Sequence, residues 1–271
     1  MRKLAPVLLA GLCLLAAGCG DARKKGAYVK HVVNIAGSTS VMPFTEKLAE
    51  HFMVERPTFI VNVQSGGSTA GIQACMNNTV EIGMSSRELK ADEKKLGEIT
   101  ICLDGIALIV HPGNPVTSLT LSQVRDIFSG TLKNWKDLGW IDRSIDAVTR
   151  EEGSGTRGAF EELVMNKQEI DDGIMVQDSN GSVKEVVATD PYAIGYVSLG
   201  MVDERVAAVS IDGVAPTAKA IKKKRYKIVR PFLYLTNGAP AEDAQAFIDY
   251  VLSKDGQVLL RKEGLIPVHE F

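Results

Sequence analysis

From Val32 onward, short apolar runs alternate with stretches in which apolar residues recur every three or four positions. The first pattern reads as strand and the second as amphipathic helix, so their alternation predicts an α/β fold. Strands are predicted over Val32–Ile35, Ile60–Gln64, Glu81–Met84, Gly105–Val110, Asp146–Thr149, Ile194–Val197 and Ile228–Leu235. Helices are predicted over Val41–Met53, Ala70–Met76, Ser122–Ser129, Ala159–Val164, Ser182–Ala188 and Glu242–Arg261. In the first of these, Val41, Phe44, Leu48 and Phe52 share one face, and Pro43 falls in the first turn, where proline is tolerated. Ser182-Val-Lys-Glu185 fits a capping box, and Gly264 supplies a stop after the last helix.

The N-terminus departs from this alternation. Arg2 and Lys3 precede an apolar run from Leu4 to Ala17, broken only by Pro6 and Gly11, which ends in small residues before Cys19. This is the form of a secretory signal, too short for a spanning helix. Leu15-Ala-Ala-Gly-Cys19 resembles a bacterial lipobox, with Ala16 where leucine is more usual. That resemblance implies a signal peptide over 1–18, a lipid on Cys19 and a polar tether over 19–27. Export permits a disulfide, but the spacing of Cys75 and Cys102 leaves pairing and buried free thiols equally open.

Two turn-rich segments look like crossings between lobes: His111-Pro-Gly-Asn-Pro115, and the basic run Lys222-Lys-Lys-Arg-Tyr-Lys227, which reads as a solvated strand edge. They divide the chain into one lobe over 28–111 plus 226–271 and a second over 112–225. Two linkers joining a split lobe to a continuous one suit hinge closure over a ligand.

Composition narrows the function. The 271 residues are 45% hydrophobic and 24% charged, which excludes a disordered chain and a multi-span membrane protein. Basic residues number 31 against 33 acidic, a net charge of −2, so there is no basic excess for nucleic acid. Net charge alone would not point to an anionic ligand either.

The local chemistry does. Gly37-Ser38-Thr39-Ser40, Gly66-Gly67-Ser68-Thr69 and Gly153-Ser154-Gly155-Thr156 are three glycine- and hydroxyl-rich loops, each leading from a predicted strand toward a helix. Helix starts leave backbone N–H groups unpaired and carry partial positive charge, and glycine lets an anion approach them. Ser and Thr add neutral donors. One such loop merely caps a helix; three point to a small oxyanion in a cleft. Arg150 ends a strand just before the third loop, and Arg87 follows Ser85-Ser86; a guanidinium can fork onto two oxygens of such an anion.

Enzymatic readings lack their residues. There is no Gly-x-x-x-x-Gly-Lys-Ser/Thr phosphate loop, and no Gly-x-Ser-x-Gly elbow in the second or third loop. His31, His51, His111 and His269 are scattered without metal-ligand spacing. No catalytic residue, metal or cofactor is therefore expected.

The segments taken together resemble the substrate-binding protein of Pst-type bacterial phosphate ABC transporters. The resemblance runs through Ile35-Ala-Gly-Ser-Thr-Ser40, Gln64-Ser-Gly-Gly-Ser-Thr-Ala-Gly71, Ile82-Gly-Met-Ser-Ser-Arg87 and Asp104-Gly-Ile-Ala107. It continues through Leu121–Gly130, Asn134-Trp135, Arg150-Glu-Glu-Gly-Ser-Gly-Thr156 and Ala193-Ile-Gly-Tyr196. It implies a type II periplasmic-binding-protein fold of two lobes, each a mixed sheet flanked by helices, closing on inorganic phosphate. Such a protein passes phosphate to permease subunits outside the cytoplasm, here held at the membrane through Cys19 and acting as a monomer, with no nucleic-acid partner.

Carried over by motif, the phosphate contacts are Thr39, Ser40, Ser68 and Ser86 on one side and Arg150, Ser154, Gly155 and Thr156 on the other. Ser38 and Arg87 are neighbours to add. Well-known members place an aspartate at the position of Ser86, where it accepts the proton of hydrogen phosphate. Asp104 is then either a replacement acceptor, a partner for an arginine, or a plain strand-end carboxylate. Sulfate, molybdate or a sensor or adhesin role are the alternatives.

Overall fold

The computed structural model describes residues 30–269, so the expected signal, tether and Cys19 lie outside the described residues. The first elements are β1 (His31–Gly37), α1 (Met42–Glu55), β2 (Phe59–Ser65), α2 (Ser68–Met76), β3 (Ile82–Ser85) and β4 (Gly97–Val110). Next come β5 (Ser118–Leu119), α3 (Leu121–Phe128), β6 (Asp146–Arg150), α4 (Gly155–Phe160), β7 (Met175–Gln177), α5 (Asn180–Thr189) and β8 (Ala193–Ser198). The chain closes with β9 (Ala207–Ala208), β10 (Ser210–Ile211), α6 (Ala218–Lys222), β11 (Val229–Thr236), α7 (Glu242–Leu252), α8 (Lys254–Lys262) and β12 (Ile266–Pro267).

Ten strands form one curled mixed sheet in the order β2-β1-β3-β11-β4-β8-β6-β7, with β12 and β9 also pairing β4. β1 runs parallel to β2 and β3, and β6 runs parallel to β7 and β8. β4 joins the two sets. It pairs antiparallel with β11 from Gly97 to Gly105, then antiparallel with β8 from Ile106 to Val110.

Helices cover the sheet because each buries an apolar stripe. Phe44, Leu48 and Phe52 of α1 pack with Val33, Phe232 and Phe247, the face expected from their spacing. A second cluster gathers Ile106, Leu108, Val124, Phe128, Trp135, Phe160 and Tyr196, with the Phe160 and Tyr196 rings stacked at 4.0 Å. Cys75 and Cys102 are buried free thiols, in different clusters.

Several element boundaries differ from the sequence pattern for local reasons. The last helix is two: Ser253 is extended (ψ 167°), ends α7, and caps α8 by accepting from Gly256 N–H at 3.3 Å. α5 begins two residues before Ser182, because Ser179 is its cap and accepts from Ser182 N–H at 3.0 Å. Ala159–Val164 is the end of α4 followed by a wider π turn over Glu161–Met165. β4 starts at Gly97, eight residues before the predicted strand, since β11 supplies a partner along its first half, where Glu98 and Thr100 interrupt the apolar residues. The basic run lies in the last turn of α6 and the turn beyond it, with Lys224 at φ 56°, and not on a strand edge.

Candidate functional site

Loops after β1, β3 and β6 and the starts of α2 and α4 converge where the two strand sets meet. Ser38 follows β1, is 2% exposed, and donates from Oγ to Ser86 Oγ at 2.9 Å. Ser40 Oγ lies 2.8 Å from Thr156 Oγ1, across the junction between the two sets. Ser68 opens α2; its Oγ accepts from Ser86 N–H at 3.1 Å and lies 3.4 Å from Ser86 Oγ. Thr39, partly exposed, accepts from Asn180 Nδ2 at 3.1 Å.

The second and third loops touch through their backbones. Thr69 N–H donates to the Gly153 carbonyl at 3.1 Å. Gly67 has φ +88°, and a Cβ there would sit 3.1 Å from that same carbonyl, so the loop needs glycine both for its turn and for the approach. Gly155 is packed more tightly still: a Cβ would lie 2.1 Å from Ser68 Oγ and 2.7 Å from Ser86 Oγ. Ser154 caps α4, accepting from Arg157 N–H at 3.2 Å.

Arg150 ends β6 and is 1% exposed. Its Nε and Nη2 donate to the Glu151 carboxylate at 3.0 and 2.9 Å and to the Gln177 and Asp178 carbonyls. Nη1 is buried and, among the described residues, has no hydrogen-bond partner. Buried polar atoms in native folds are normally satisfied.

Arg87 and Asp104 are already engaged. Arg87 forks onto Glu93 at 2.7 and 2.8 Å, and that hydrogen-bonded guanidinium holds the Glu93 carboxyl below its ordinary range. Asp104 is fully buried and accepts two bonds of 3.0 Å from Arg230 and one of 2.9 Å from Ser198 Oγ. Burial pushes its carboxyl up, while Arg230 and Ser198 oppose the rise. Of the three roles open to Asp104 in the sequence, it takes that of partner to an arginine.

Arg230, Asn180 and Ser198 are absent from the motif-based set. Arg230 is 2% exposed, reaches Ser40 Oγ and the Ser86 carbonyl at 3.2 Å each, and stands close enough to Arg150 for the two charges to oppose each other. Asn180 donates to both Thr39 and Ser40. The available signal was an arginine inside an otherwise apolar strand.

A groove of about 630 Å³, lined by Thr39, Ser65, Gly66, Glu151, Asp178 and Ser182 among others, opens beside this cluster. Among the described residues, no group of three His, Cys, Asp or Glu side chains could hold a metal ion, and no helix is long and apolar enough to cross a membrane.

A curled mixed sheet that gathers helix starts and hydroxyl loops around a shared polar centre defines a periplasmic-binding-protein architecture. The chain matches the family model described as a PBP superfamily domain over residues 21–255. It is 34% identical over 278 residues to the phosphate-binding protein PstS of Bacillus subtilis (strain 168), an alignment covering 97% of this chain and 92% of that one. A solved structure of a putative phosphate ABC transporter substrate-binding protein with bound phosphate, from Clostridium perfringens, is 44% identical. It superposes with a TM-score of 0.86 over 88% of this chain and 100% of that one. An ABC-type phosphate transport receptor from Vibrio cholerae is 36% identical, with a TM-score of 0.72 over 86% of this chain and 99% of its own. The chain belongs to the PBP superfamily and, within it, to the PstS family of phosphate-binding proteins.

Proposed function

We propose that the chain binds inorganic phosphate at the buried hydroxyl cluster and delivers it to the permease of an ABC transporter for uptake. The unpartnered, buried Arg150 Nη1 carries the reading. It belongs to the strand whose following loop supplies Ser154, Gly155 and Thr156, and an anion oxygen would satisfy it with a charge-assisted bond. Ser38, Thr39, Ser40, Ser68 and Ser86 contribute from the other side. Arg87 and Asp104 act behind them, Arg87 by holding Glu93 and Asp104 by holding Arg230. The relatives named above as phosphate-binding and phosphate-transport proteins support the same ligand.

The lobes in this reading follow the two apolar clusters, one built on β1, α1, β11 and α7 and the other on α3, α4 and β8. They rotate about the change of partner in β4 at Gly105/Ile106 and the entry to β11 at Val229. Phosphate bridging the two sides favours the closed form by differential affinity. The protein works outside the cytoplasm as a monomer, a binding protein and not an enzyme, held at the membrane by a lipid on Cys19.

Calorimetric titration of the purified protein with phosphate tests this. Binding well below millimolar is expected, and none below roughly millimolar sinks the proposal. Arg150→Ala should cost ~1.5–3 kcal/mol, about ten- to a hundredfold in affinity.

A further inference from the structure

The basic run Lys222–Lys227 takes no part in the hydroxyl cluster, yet it walls a second groove. Asp104 points its side chain toward Ser198 and Arg230, and successive residues of a strand face opposite ways, so Leu103 and Gly105 look out from the other side of the sheet. Their ladder partners Ile266 and Val229 share that face. Ile221 of α6 rests over Gly105, where an added Cβ would lie 2.8 Å from its Cδ1. Tyr226 fixes the wall by donating its hydroxyl to the Ile106 carbonyl at 2.7 Å. Together they enclose a groove of about 410 Å³ behind the crossing strands, within the ~300–1,000 Å³ of small-molecule sites.

Floor and rim differ in chemistry. Leu103 lies open at 36% exposure, although Cys102 and Asp104 on either side of it are fully buried. Lys224 and Lys227 line the rim, both exposed and, among the described residues, without an acidic partner. Five of the six residues from 222 to 227 are basic and none is acidic, in a chain with 31 basic residues against 33 acidic. Lys224 holds φ 56°, a left-handed conformation that a lysine seldom adopts, just beyond the end of α6. Lysine stems lie along apolar surface and carry the ammonium outward. An apolar floor under a collar of ammonium groups complements a molecule that is apolar along its length and anionic at one end.

We propose that this groove binds a single-chain aliphatic carboxylate, its chain over Leu103, Val229 and Ile266 and its carboxylate between Lys224 and Lys227. β4 and β11 separate the groove from the hydroxyl cluster, so the two ligands occupy opposite faces of the same strands, and the groove does not depend on the phosphate reading. An anionic membrane surface or a second copy of the chain fits less well. Ile221, Tyr226 and Ile266 are recessed, each under a tenth exposed, so a flat partner would meet the rim and miss most of the floor.

The test is calorimetric titration of the purified full chain with dodecanoate at pH 7, with and without saturating phosphate. One saturable site with a Kd below about 1 mM is expected in both, with octanoate and dodecyltrimethylammonium each at least about tenfold weaker. Absence of such a site, its displacement by phosphate, or equal binding of the cation or the shorter chain overturns the proposal. The double variant Lys224→Gln/Lys227→Gln and, separately, Leu103→Ser should each weaken dodecanoate at least about tenfold, with the far-UV circular dichroism and the phosphate Kd unchanged. Parental dodecanoate affinity in either variant also overturns it. So does cosedimentation with phosphatidylglycerol vesicles, or a dimer in analytical ultracentrifugation, that the lysine variant abolishes while dodecanoate fails to bind: the face then belongs to a membrane or to a second copy.

Discussion

Asp104 and Arg230 are direct cross-strand partners in the β4–β11 ladder, and their side chains meet with both Nε and Nη2 of Arg230 3.0 Å from Oδ2. The sheet register brings the carboxylate opposite the guanidinium and its two bonds hold it, and the guanidinium in turn reaches Ser40 and the loop at Ser86. A carboxylate 126 residues earlier in the chain thus positions the hydroxyl cluster without belonging to it.

Breaking one member of this pair should cost more than removing both. Arg230→Met leaves a buried, unpaired carboxylate, at about 3–5 kcal/mol of stability. The double variant Arg230→Met/Asp104→Leu should be more stable than Arg230→Met in urea unfolding. Additive losses would show that the pair is not coupled.

Gly155→Ala tests the close approach of the two loops. Its methyl would lie 2.1 Å from Ser68 Oγ and 2.8 Å from Ser68 Cβ, so α4 must retreat from α2. Phosphate affinity should fall by at least ~100-fold while the far-UV circular dichroism stays that of the parent, because the clash lies between two helix N-termini and not within either helix.

Glu93 gives a pH dependence with a definite sign. Its carboxyl is held below the unfolded value by the hydrogen bonds from Arg87, so the stabilisation is present above the unfolded value and lost as pH falls through the folded one. Urea midpoints measured from pH 6 down to pH 3 should drop for the parent. Glu93→Gln should start lower and show a shallower decline. Parallel curves for the two proteins would remove Glu93 as a source of acid sensitivity.

The longer strands and the three hydroxyl loops are legible in the sequence because both are local, whereas β5, β7, β9, β10 and β12, of two or three residues each, are too short to leave a pattern. Apolar runs fix the strands, and a glycine-serine-threonine loop before an amphipathic stretch marks a helix start wherever it occurs. Arg230 was not legible, since its role comes from facing Asp104 across a ladder. Read alone, Val229-Arg-Pro-Phe-Leu-Tyr-Leu-Thr236 is an apolar strand with an awkward charge. The first half of β4 was missed for a related reason. Glu98, Thr100 and Asp104 dilute its apolar pattern, and only pairing with β11 makes it a strand. Ser182 fits a cap in the sequence, but Ser179 holds that place because it offers the same hydroxyl one turn earlier.

β4 hydrogen-bonds to β11 through Gly105 and to β8 from Ile106 onward, without a break in the strand. Melting either side would strip half of one strand of its partners and expose the apolar Ile106–Val110 run or the buried Ile101-Cys102 pair. The two sides are therefore one cooperative unit, joined through shared backbone and not merely by linkers. A truncation after Val110 would remove β8 and β11 together, the neighbours on both flanks of β4. No stable fragment should survive such a cut.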